Sequence, residues 1–112
     1  MQIIVDKTDG NAVFSIKGRM DAISAPEFDK TFTKQMEEGT QNFIMDLGNL
    51  EYISSAGLRS VLAALKKTKV QNKKLLFCNI KGSIKEIFDI SGFTALFTIH
   101  ASLEEAQKNL QS

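Results

Sequence analysis

Two adjacent hydroxyls, Ser54 and Ser55, stand immediately ahead of Ala56-Gly57-Leu58-Arg59. The apolar run Phe43 to Leu47, which contains the carboxylate Asp46, precedes them. An apolar-periodic stretch leaves them, from Ser54 or Ser55 to about Lys69. The pattern reads as strand, loop and helix, with the serines at the helix N-terminus. Unpaired backbone N–H groups and the positive end of the helix dipole favour a negative charge there. The chemistry this allows is a removable phosphate on Ser55. Such a group brings about −1.5 to −2 charge at pH 7 and strong acceptor oxygens. A helix start tolerates it, so its effect should fall on a binding surface rather than on the fold. Asp21 and Asp46 are expected on the same rim, because the carboxyl ends of neighbouring strands gather together, and there they would repel the phosphate. Gly57 would leave the outer surface bare for a partner backbone. Arg59 would pair with a phosphate or with a partner carboxylate. A serine pair before a helix is also an ordinary N-cap, and both aspartates could be solvated loop residues.

Other chemistries find little support. The residue two before Ser55 is Ile53, where a nucleophile elbow needs glycine. His100 is the one histidine, with no evident base partner for a catalytic triad. Neither a Gly-x-Gly-x-x-Gly nor a Gly-x-x-x-x-Gly-Lys stretch occurs, and no Cys/His cluster has metal spacing. The chain reads as a binding protein without cofactor or metal, not an enzyme. A small hydrolase using Ser55 stays as the catalytic alternative, to be revealed by ester turnover lost in Ser55→Ala.

The elements that must position these residues follow from patterning over 112 residues, one domain by length. A charged fraction of 24% and a hydrophobic fraction of 43% are those of a globular chain. A net charge of +1 argues against a nucleic-acid clamp. No apolar run is long enough to span a membrane, and the first residues do not resemble a secretion signal. Cys78, inside the run Leu75 to Ile80, reads as a buried thiol in a reducing compartment. A cytoplasmic protein, monomer or weak dimer, is expected.

Thr8-Asp9-Gly10-Asn11 between β-branched runs predicts a hairpin of strands at about 2–8 and 11–18. Ala12, Phe14 and Ile16 alternate with Val13, Ser15 and Lys17, which gives one buried face. Ser24, Pro26 and Glu27 predict an N-cap and capping box for a helix with Phe28, Phe32 and Met36 inward, stopped by Gly39. Phe43 to Leu47 predicts a strand covered on both faces. The next helix carries Leu58, Val61, Leu62 and Leu65 inward and Arg59, Ser60, Ala63, Lys66 and Lys67 outward. Then come a strand over 75–79, a short helix Ile84 to Ile90 capped by Ser83, a small strand near 96–99 and a last helix. That helix is capped at Ser102 and buries Leu103, Ala106 and Leu110, and the tail Asn109 to Ser112 should fray. The order ββαβαβαβα implies an α/β fold, a mixed sheet with an N-terminal hairpin and helices packed against it.

The stretch Asp46-Leu47, then Ser54-Ser55-Ala56-Gly57-Leu58-Arg59, resembles the hallmark of the STAS domain, and specifically of the stand-alone anti-sigma factor antagonists of bacteria. Gly18-Arg19-Met20-Asp21-Ala22 with Pro26 resembles the same family's second-strand exit, and the likeness covers the whole chain, 1–112, as a single STAS domain. The resemblance implies a serine phosphorylated by a partner that is both anti-sigma factor and serine kinase. The unmodified form would bind that partner and free a sigma factor. A metal-dependent Ser/Thr phosphatase would reset it. The target falls on Ser55, with Ser54 as a competing site. Asp21, Asp46, Ser54, Ser55, Ala56, Gly57, Leu58 and Arg59 would make the partner surface, with no nucleic acid and no membrane involved. Three departures stand out: Ser54 replaces an aspartate, Ala56 a serine and Arg59 a glycine. An alternative is a STAS scaffold or sensor subunit that is never phosphorylated and binds a regulator or a small anionic ligand at the same rim.

Overall fold

The computed structural model describes residues 1–110. Two positive φ angles, 54° at Asp9 and 81° at Gly10, turn the chain between β1 (Gln2–Thr8) and β2 (Asn11–Met20). That is the two-residue hairpin turn the Asp-Gly pair favours. Next come α1 (Ala25–Glu37), β3 (Phe43–Ile53), α2 (Ser55–Val70) and β4 (Leu75–Cys78). After them follow α3 (Gly82–Ile90), a 3-10 turn at Phe93–Ala95, β5 (Thr98–His100) and α4 (Leu103–Leu110). The sheet order is β1-β2-β3-β4-β5, antiparallel at β1–β2 and parallel elsewhere. The predicted order and the mixed sheet are what is observed.

Each parallel connection leads to the adjacent strand in one direction. Right-handed crossovers therefore stack α1, α2 and α3 on one face. That face carries the main core, with Phe14, Met45 and Phe77 in register across three strands. Four phenylalanines, Phe14, Phe28, Phe32 and Phe43, meet under α1, with Phe32 and Phe43 4.6 Å apart at their ring centres. A second group, Phe77, Phe88, Phe93 and Phe97, meets under α3, where Phe77 and Phe97 stack at 4.5 Å. Each buried ring stabilises the fold by about 2–3 kcal/mol. The other sheet face is covered by α4, whose Ala106 and Leu110 pack on Ile44, Leu76 and Cys78. Residues 43–45 of β3 are thus buried whichever way they point, as the continuous apolar run predicts.

Several boundaries differ from expectation, each for a physical reason. Strand β2 runs on to Met20, because Gly18 at φ +94° and two register shifts let the pairing continue past 18. Strand β3 continues from Leu47 to Ile53. Gly48 is no turn there; a Cβ would lie 3.2 Å from both Asn79 Cβ and Asp46 Oδ1, so a side chain at this position would press on both. Ser24 makes no side-chain cap bond to α1, so the capping box is absent. Ser83 lies inside α3, which starts at Gly82 and also lacks a side-chain cap. The small strand begins at Thr98, since Phe93–Ala95 forms a 3-10 turn. Ser60 is buried rather than outward, because α2 packs against α1 as well as the sheet. Ser102 does cap α4, accepting from Glu105 N at 3.2 Å. Of the tail expected to fray, Asn109 and Leu110 complete α4, and 111–112 lie outside the described residues.

Candidate functional site

Beyond β1 and β4, strands β2 and β3 continue as a two-stranded arm, Gly18–Met20 paired with Leu50–Ile53. The serines sit at its tip. Ser54 N donates to Met20 O at 2.9 Å, which ties the start of α2 to the end of β2. Ser54 is extended, its Oγ accepts from Gly57 N at 3.2 Å, and its carbonyl accepts from Leu58 N at 2.9 Å. That is an N-cap in both backbone and side chain. Ser55 is the first residue of α2 and is exposed. Among the described residues, no side-chain hydrogen bond engages its hydroxyl. The two adjacent serines therefore divide the work: one closes the helix, and the other faces solvent at its positive end.

The loop after β2 is built around Asp21. Its Oδ1 accepts from Ile23 N at 3.0 Å, Ser24 N at 3.1 Å and Ser24 Oγ at 3.1 Å. Ser24 Oγ in turn donates to Arg19 O and accepts from Asp21 N, both at 2.9 Å. The hydroxyl that would have capped α1 is spent inside this loop. Hydrogen bonds from Ser24 and Ile23, with the nearby charge of Arg19, hold the Asp21 carboxyl below its ordinary value. Asp21 is therefore the organiser of a turn, beside the serines as expected, and not an uncommitted charge aimed at them.

Asp46 is elsewhere. It lies within β3 in register with Cys78, and its Oδ1 accepts from Gly48 N at 3.0 Å and Asn79 Nδ2 at 3.1 Å. Eight residues of strand separate it from Ser54, on the order of 25 Å. The expectation that both aspartates share one rim with the serines fails for Asp46, because β3 does not end there. Gly57 is also corrected. It is buried, and a Cβ on it would lie 2.7 Å from Met20 O and 2.8 Å from Ile53 Cγ1. Its bare α-carbon faces inward to the arm and offers no surface to a partner. Leu58 is partly buried against the core, Ala56 is half-buried, and Arg59 is exposed. Ala56 and Arg59 line a shallow groove between α1 and α2, opposite Ala22, Ala25 and Pro26.

Two features of the tip were not found by pattern reading. The Arg19 guanidinium lies over the Tyr52 ring, 4.2 Å from its centre. Ile23 projects from the loop with 91% of its surface exposed. The first depends on a strand extension that Gly48 disguised as a turn. The second had a signal, an Ala22-Ile23 pair set between Asp21 and Ser24 in a loop.

Against known proteins, the sequence pattern described as STAS domain matches residues 2–106. The Bordetella bronchiseptica protein named "Putative anti-sigma factor antagonist BtrV" is 35% identical over 106 residues, covering 95% of this chain and 91% of that one. The anti-sigma-B factor antagonist of Staphylococcus aureus is 24% identical, over 93% of this chain and 98% of its own length. The crystal structure of an anti-sigma factor antagonist from Mycobacterium paratuberculosis superposes with a TM-score of 0.90 at 19% identity, over 99% of this chain and 94% of that one.

Proposed function

From the premise that the chain belongs to the STAS domain family, and within it to the anti-sigma factor antagonists, we propose that it is a binding module switched by phosphate on Ser55. The unmodified form binds an anti-sigma factor that is also a serine kinase, and so releases a sigma factor. Phosphate on Ser55 ends that binding, and a metal-dependent Ser/Thr phosphatase restores it. The observation that carries this reading is the division between the two serines: Ser54 Oγ is engaged by Gly57 N, while Ser55 is exposed at the first position of α2. A phosphate there meets the positive helix end and a surface that can change its charge without disturbing the core.

The test is incubation with the cognate serine kinase and ATP, followed by mass spectrometry. Phosphate is expected on the tryptic peptide containing Ser55 and is abolished in Ser55→Ala. Transfer that persists in Ser55→Ala, or none at all from an active kinase, removes the mechanism. Ser55→Asp is expected to weaken anti-sigma factor binding by at least about tenfold, the scale of a charged group misplaced in an interface.

A further inference from the structure

The two edges of the sheet are not protected alike. β5 offers three residues, Thr98–His100, whereas β1 offers seven, Gln2–Thr8. An exposed edge invites another strand unless it is short, bulged, charged or interrupted by proline. β1 pairs with β2 without a register shift, holds no proline, and carries its charges, Asp6 and Lys7, only in its second half. Ile3 and Val5 pack on the main core, but Ile4 belongs to neither apolar cluster and is 49% exposed on the opposite face. We propose that β1 is the docking edge for a second copy of this chain, joined antiparallel about Ile4 into one continuous sheet.

The pairing follows from the hairpin. Its two-residue turn makes Thr8 and Asn11 a hydrogen-bonded pair. Alternation then points the backbone groups of Gln2, Ile4 and Asp6 at β2, and those of Ile3, Val5 and Lys7 outward. A two-fold axis at Ile4 sets Ile3 against Val5 of the second copy and Val5 against its Ile3, for about four backbone hydrogen bonds. Ile4 meets its own equivalent at the closely spaced, non-hydrogen-bonded position. Gln2 faces Asp6 of the second copy. Because Gln2 also faces Lys17 on β2, that aspartate and Lys17 flank one glutamine in a single row, about 10 Å apart between strands. Lys7 stands at the margin, opposite Met1 of the second copy. The flank of α1 turned from α2 carries Glu27, Lys34 and Glu38, charges of both signs. Moving the axis to Val5 would put Asp6 against Ile4 and Lys7 against Ile3. Moving it to Ile3 would shorten the ladder and leave Asp6 and Lys7 outside it. The strand therefore complements itself about Ile4, and that selects a second copy. Two-fold pairing reverses this copy, so the two arm tips point in opposite directions and both Ser55 side chains stay free. A single strand edge covers less than the roughly 1,200 Å² of a stable complex, so the dimer is weak.

The test is disulfide trapping of the full chain under a mild oxidant. Ile4→Cys places two thiols across the axis at a Cα separation of about 4.5 Å, inside disulfide range. Gln2→Cys is exposed on the same face, but its equivalent lies about 14 Å away along the strand, beyond that range. On a non-reducing gel Ile4→Cys should run as a dimer. Gln2→Cys and the wild type, whose Cys78 is buried, should run as monomers. Sedimentation equilibrium should show the wild type associating between about 10 µM and about 1 mM, the range of weak complexes. Ile4→Lys, which opposes like charges on the axis, should stay monomeric, with thermal melting confirming that each variant is folded. No dimer from Ile4→Cys, equal cross-linking of Gln2→Cys, or a wild type that is monomeric throughout overturns the proposal; the last would leave β1 to a strand from a different protein. Ser55→Asp should associate as the wild type does, and a changed association would move the contact to the arm tip and overturn it as well.

Discussion

Gly57 shows how much a single missing methyl can decide. The start of α2 crosses the end of β2 so closely that a Cβ would sit 2.7 Å from the Met20 carbonyl oxygen. The obstacle is backbone on one side and the buried Ile53 on the other, so neither yields easily. Gly57→Ala gains about 1 kcal/mol of helix propensity, but the overpacking costs about 1–3 kcal/mol. Urea denaturation should show a net loss, and no loss would mean that the arm and helix can separate freely. Ser54 has a different role from its neighbour although the two are chemically identical. Ser54→Ala removes the acceptor for Gly57 N and should cost about 1 kcal/mol of stability while phosphate transfer to Ser55 persists. Ser55→Ala should do the reverse.

At the scale of elements, the loop from Asp21 to Ser24 is the joint that sets α1 and the arm tip relative to α2. Its integrity depends on ionised Asp21, whose carboxyl is held below its ordinary value of 3.8, first by the backbone hydrogen bond from Ser24. A depressed carboxyl contributes stability that is present above the unfolded-state value and is lost as pH falls through the folded-state value. The wild type should therefore be more stable than Asp21→Asn at neutral pH. The gap should narrow once pH drops below 3.8. A gap that stays constant to lower pH would show that the carboxylate charge is not what holds the turn. The β2–β3 arm is the second such element. It carries Arg19 stacked on Tyr52, and its length follows from pairing with β2, not from any apolar run of its own.

For the molecule as a whole, the two sheet faces have separate duties. Helices α1 to α3 bury the phenylalanine core on one face, and α4 closes part of the other over Ile44, Leu76 and Cys78. The Cys78 thiol is buried by this closure, and burial pushes it up to about 12, with the Asp46 and Glu104 carboxylates adding to the effect. A thiol so protonated is a poor nucleophile. A thiol-reactive probe at pH 8 should leave native protein unlabelled, and labelling should rise in step with denaturant unfolding. Fast labelling of the native state would mean that α4 opens independently of the core. Ser55 lies at the arm tip, whereas α4 packs on Ile44, Leu76 and Cys78, so changes at Ser55 should leave Cys78 protection as it is.

The chain's own residues determined the element order, the Asp-Gly hairpin, the doubly covered 43–45 segment and the Ser54-Ser55 helix start. These are local signals, in which turn chemistry, period and capping act within a few positions of one another. What surrounds Ser55 was decided only in three dimensions. Asp46 lies eight residues before Ser54 and shares a motif with it, yet strand extension carries it away, whereas Asp21 lies thirty-odd residues before Ser54 and sits beside it. Gly57 turned out to face the arm because Met20 crosses it, and Ala22 and Arg59 came to line one groove because α1 and α2 pack side by side. Such placements depend on which strand pairs with which and how far, and strand pairing joins residues distant in the chain through backbone hydrogen bonds that every residue type can make.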